Sequence, residues 1–299
     1  MLKRIVNKLL LFVMLSFCVL PLSAQNEAYN AYTPYSMFGI GEISKQGTAY
    51  NKSMGGVGIA TRDKRNVNIL NPAAVTEREA KSFMADFGVA QGNRYYAQHD
   101  LKSSNNTFNF YDFVISFPVY KSLAMYAGVT PYSDIGYDMS SKITDPSIIA
   151  NTGVITNTVN GYGGMSNIFI GAGIDVIRGL SVGVEGQYYF GNLHKTNTFT
   201  MSNSTYRSIS SGFNMDLNAF TAKLGVQYET NVSENVTAVL GATYKFGTSL
   251  NGEVERYEIQ SISSLNDSTP SPRSYVDTLG SGKVKLASEL GVGIAFKGG

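Results

Sequence analysis

His99 and His194 are the two imidazoles in the 299-residue chain, and they are the side chains best suited to move a proton near neutral pH. Their spacing from Asp100 or Ser103 fits no triad order, and each falls in or beside a stretch read as a loop, where a lone histidine is usually just solvated. Asp134, Asp145, Asp267 and Asp277 lack the close spacing of a calcium loop. Gly39-Ile40-Gly41 and Gly55-Gly56-Val57-Gly58 lack the Lys-Ser/Thr, or the strand-then-helix unit, that phosphate and dinucleotide sites need. The sequence therefore predicts no enzyme, no cofactor and no metal site.

What remains is chemistry of docking. Asn71-Pro72-Ala73-Ala74 is a helix start: asparagine caps, proline suits the first helical position, and alanine propagates. On residue chemistry alone, Asn71 is a cap and nothing more. Tyr35, Met37, Phe38 and Met54 are spaced among polar residues, where they either line an apolar pocket or simply pack the segment that carries them. These residues belong to a stretch, 25–81, that does not alternate like a strand but is not low in complexity.

Upstream, basic Lys3, Arg4 and Lys8, an apolar run from Leu9 to Leu20 and small Ser23-Ala24 read as a signal peptide over 1–24, because the run is too short to span a bilayer. Cys18, the one cysteine, follows Phe17 where lipid attachment wants a small residue, so no lipid anchor is expected. Its loss with the signal removes disulfides and thiolate metal sites. The same cleavage takes three of 24 basic residues, leaving 21 against 22 acidic ones, and no basic field for nucleic acid remains.

Downstream, from 82 to 299, apolar residues recur at every second position in segments of about ten. Leu180, Val182, Val184, Tyr188 and Phe190 are one such series; Phe220, Ala222, Leu224, Val226 and Tyr228 are another, with a charged, glycine-rich opposite face. Eight strands are predicted, at 82–91, 107–118, 122–130, 165–177, 179–191, 214–230, 235–248 and 283–297. Short turns near Tyr120-Lys121, Arg178-Gly179 and Ser233-Glu234 alternate with long connections at 92–106, 131–164, 192–213 and 249–282. A soluble sandwich would alternate too, but this length, the aromatics at strand ends and the short-long rhythm favour an all-β transmembrane antiparallel barrel. Eight strands make a barrel filled by its own side chains, with no room for residues 25–81. A chain cut short, with further strands to follow, is expected; a complete eight-stranded barrel with an outer extension is the alternative.

Gly55-Gly56-Val57-Gly58-Ile59-Ala60, Asp63 and Asn71-Pro72-Ala73-Ala74, followed by this strand series, resemble the FadL and toluene-transporter family of outer-membrane hydrophobe channels. The resemblance implies an N-terminal hatch, or plug, inside a barrel of more strands than eight, with Gly55, Gly56, Gly58, Asn71, Pro72 and Ala73 as the plug motif. Ile69-Leu70 depart from it, since an aromatic usually precedes the asparagine there. The first functional expectation is passage of hydrophobic small molecules of the fatty-acid class across the outer membrane, with Tyr35, Met37, Phe38 and Met54 lining the pocket and membrane lipid outside. The second is a scaffold or shuttle barrel that docks exported proteins through its external loops.

Overall fold

The computed structural model describes residues 32–79, 82–120, 122–203, 205–262 and 273–298. The expected signal peptide, the first residues of the expected plug and Asp267 lie outside these. Strand β1, Glu42–Ile43, is two residues long. The rest are β2 Met84–Gln98, β3 Leu101–Tyr120, β4 Leu123–Ile143, β5 Ile155–Ile177, β6 Leu180–Met201, β7 Arg207–Ser233, β8 Val236–Lys245, β9 Thr248–Ile262, β10 Arg273–Leu286 and β11 Glu289–Gly298.

β8 and β9 both lie along β7, which pairs Lys223 with Lys245 and Asn218 with Asn251, so they form one ribbon broken at Phe246-Gly247. β10 and β11 run beside β9 and β8 in the same way. Counted as ribbons and leaving β1 aside, the described strands of the wall number eight, all antiparallel and joined in sequence order. They curl into a half-barrel, with β2 at one edge and the β10–β11 ribbon at the other.

The strands run much further than the sequence implied. The expected loop 92–106 is a turn at residues 99 and 100, where His99 takes a φ of 51°, and 192–213 shrinks to residues 202–206. The expected loop 131–164 shortens to residues 144–154, with a helical turn Pro146–Ile149. Most of 249–282 is β9 and β10. The reason is chemical: on one face these halves pair Thr158 with Thr198 and Asn160 with Thr196, and on the other they mix Val159 and Phe199 with Asn157 and Asn197, so no sustained hydrophobic alternation shows.

The two faces of the other half are inverted relative to a soluble sandwich. Ile168, Ile170, Val182, Val184, Leu224, Val226 and Ile294 lie exposed on the convex side. Ser181, Glu185, Gln187, Thr221, Gln227 and Lys245 are buried on the concave side. No helix among the described residues is long and apolar enough to cross a membrane. Residues 32–79, with short helical turns at Pro34–Met37, Ala49–Ser53 and Pro72–Thr76, lie against that concave side.

Candidate functional site

The N-terminal segment meets the wall through backbone. Gly173 pairs with Gly183, and Gly183 with Gly225, so three glycines stand in one row across β5, β6 and β7. Pro72 lies on that row. A Cβ at Gly173 would sit 2.7 Å from Pro72 O, one at Gly183 2.6 Å from Ala73 N, and one at Gly225 2.6 Å from Pro72 Cδ. A second pair, Gly241 and Gly293, faces Ile59 and Ala60 from β8 and β11. Only a residue without a side chain leaves room for so close an approach.

Asn71 is fully buried, and its amide serves both sides of this contact. Oδ1 accepts from Ala73 N at 3.0 Å, capping the turn Pro72–Thr76, while Nδ2 donates to Ile59 O at 2.8 Å and to Val226 O on β7 at 3.2 Å. Gln227 Nε2 adds a donor to Ile59 O at 2.8 Å, and Lys223 Nζ one to Ile69 O at 2.8 Å. Nearer the short turns, buried Arg62 joins three strands: it donates to Ser181 Oγ at 2.6 Å and pairs with Asp175 at 3.6 Å and Glu229 at 3.4 Å. From the segment itself, Thr76 Oγ1 accepts from Arg62 at 3.0 Å and Glu77 pairs with it at 3.2 Å. Gly55 and Gly56 take φ values of 79° and 88° in a turn with open space around them, whereas Gly58 packs against Leu70, Asn51 and Asn68.

Beside this seat lies a cavity of about 200 Å³, lined by charged and polar groups interleaved with Ile59, Ile69, Leu70, Phe169 and Leu290. Glu185 and Lys223, directly opposite in β6 and β7, form an ion pair of 2.8 Å with the carboxylate 1 % exposed. Tyr126 OH and Gln187 Nε2 both donate to Glu185, and Tyr189 OH donates to Gln187 Oε1 at 2.7 Å. Lys245 pairs with Glu289 on the same lining. The sequence showed the charged, glycine-rich second face of these strands, but not that its charges meet across β6 and β7.

The structure does not bring the expected pocket residues together. Tyr35 and Phe38 are 76 % and 67 % exposed, Met54 is 39 % exposed, and only Met37 packs, against a core cluster around Tyr132 and Tyr189. His194 stacks on Tyr162 at 4.7 Å between ring centres and contacts Asn214 Oδ1 at 2.8 Å. Among the described residues, no cluster of His, Cys, Asp or Glu could hold a metal. Lys52 of the segment sits over the Tyr111 ring, 2.7 Å from its centre, and burial pushes its ammonium down to about 8 against the opposing pull of Asp112.

The sequence profile of one protein family, described as BamG, matches residues 1–298. No curated protein and no solved structure matches. The profile overturns the expected kinship with the FadL and toluene-transporter channels. The glycines and the Asn-Pro-Ala turn behind that expectation form a short motif, and its chemistry, a capped turn laid on side-chain-free backbone, is open to any segment seated on a glycine row. Matched over nearly its whole length, the chain belongs to the BamG family.

Proposed function

We propose that the protein works in the outer membrane as a non-catalytic docking component in the assembly of outer-membrane proteins, with residues 32–79 as a fixed plug on the inner wall. Family membership carries this reading, since the name BamG points toward outer-membrane protein assembly. Two features support it. The convex band of Ile, Val and Phe suits acyl chains and would be costly in water. The concave lining of Glu185, Lys223, Lys245 and Glu289 holds fixed charges where a channel for hydrophobes needs an apolar path.

Depletion of the protein in its host, followed by quantification of heat-modifiable, folded outer-membrane proteins, tests the reading. The expected result is a general fall in folded barrels, with uptake of labelled fatty acid changed only as a late consequence. Undiminished barrels together with an immediate loss of uptake would reverse it.

A further inference from the structure

The wall is split. β3 pairs with β4 only where Phe113 to Tyr120 lie beside Val129 to Leu123. Beyond the Phe113–Val129 rung, β3 continues alongside β2 and β4 continues alongside β5 as far as Ile143, so the two arms part. Both arms are irregular there: the β2–β3 register shifts at Gly88/Val89, and the β4–β5 register shifts between Pro131 and Ser133. Such bulges bend a strand away from its neighbour, and Pro131 also lacks a backbone donor.

Residues 32–44 close the split from within. On one side β1 pairs antiparallel with β4, Glu42 opposite Asp134 and Ile43 opposite Ser133. Ser44 N donates to Tyr132 O at 2.8 Å, and Thr33 N to Gly136 O at 2.8 Å. On the other side Arg94 of β2 holds Glu42 through two contacts of 2.8 and 3.2 Å, and Tyr96 OH donates to Tyr32 O at 3.0 Å. A cavity of about 370 Å³ remains between the arms, lined in part by Ile43, Lys52, Arg94, Phe110 and Tyr111.

We infer that residues 33–44 are a displaceable latch, and that the β4 edge they cover, through Thr33 and Ser36 at Gly136 and through β1 at Ser133 and Asp134, extended by residues 137–143, receives one β-strand of an exported polypeptide; this rests on the docking function proposed above. The edge already accepts a strand in antiparallel register. A longer strand running on past Gly136 would make more main-chain bonds than two residues can. Such bonds are indifferent to sequence, which suits a partner class whose members share alternation rather than motifs. The latch is held on its outer side by the Glu42–Arg94 pair, with both side chains more than a third exposed, so solvent weakens it and leaves release reversible.

The test uses the full chain reconstituted in phospholipid vesicles, with a photo-crosslinking residue replacing Ser141 on β4 and a ten-residue peptide of alternating Val and Thr as the probe strand. Arg94→Ala should raise peptide cross-linking by about 1.5- to fivefold, the range set by losing one exposed ion pair. The pair Ile43→Cys with Ser133→Cys, oxidised, should abolish cross-linking, and reduction of the same sample should restore it, which also reports that the variant folds. Cross-linking indifferent to the locked disulfide overturns the inference. So does a cross-linker that captures phospholipid or a second copy of the chain in place of the peptide. In cells, a locked variant that rescues depletion as well as the reduced one overturns the latch and leaves the docking function standing. Depletion without effect on folded barrels removes the docking function itself, whatever the latch does.

Discussion

Glu185 and Lys223 show how a buried charge pair reads differently from each partner. Alone, either would be a strong penalty; together, with Tyr126 and Gln187 donating to the carboxylate and Ile69 O accepting from the ammonium, the set is satisfied. Glu185→Leu should therefore cost about 3–5 kcal/mol of stability, because the Lys223 ammonium stays buried without its counter-charge. Joining it to Lys223→Met should recover most of that loss. Unfolding midpoints in urea, in detergent or vesicles, for the two single variants and the double variant would check this; additive losses would mean that the pair does not act as a unit. Asn71 and its proline were legible as a cap from residue types alone. Their second role, toward Val226 O, was not, because it depends on a strand 155 residues away.

At the scale of elements, the glycine row is the feature that sequence displays but does not explain. Gly173, Gly183 and Gly225 each stand at a polar-side position of an alternating strand, and a single strand gives no hint that they fall in register. The row predicts a sharp asymmetry among alanine substitutions. Gly225→Ala places a methyl group against Pro72 and Asn71 and should loosen residues 32–79 from the wall, exposing them to added protease. Gly186→Ala meets only Phe220, at 3.4 Å on the outer side, and should leave proteolysis unchanged. The strand count of eight ribbons was readable for the same reason that strand length was not. Alternation shows only where one face is apolar and the other polar, as in residues 165–177 and 179–191, and it fades where Thr196, Thr198 and Thr200 face polar partners.

For the whole molecule, the inversion of the faces is what supports the proposed membrane location. A half-barrel with Val184, Leu224, Val226 and Ile294 outside and Glu185 and Gln227 inside has its favourable environment in lipid. Leu224→Arg should cost about 2–4 kcal/mol if its position lies near the bilayer midplane, and less than ~1 kcal/mol if it lies at an interface, so the penalty itself measures depth. The proper readout is vesicle-inserted folding yield against urea. Nothing in the composition could have assigned the family: the resemblance to hydrophobe channels came from a short motif and an order of elements, both present in this chain of a different family.

The lengths of the strands carry one more consequence. β7 alone has 27 residues, roughly 90 Å of extended chain at ~3.3 Å per residue, whereas acyl tails occupy a slab of only about 30 Å. With the apolar band in lipid as proposed, a tall rampart of threonine, asparagine and serine would rise clear of the fatty layer even at a steep tilt, at the end away from the turns 178–179 and 234–235. On the docking function proposed above, a client arriving from that direction would meet a stiff, hydrated palisade, already ordered before the client touches the lipid.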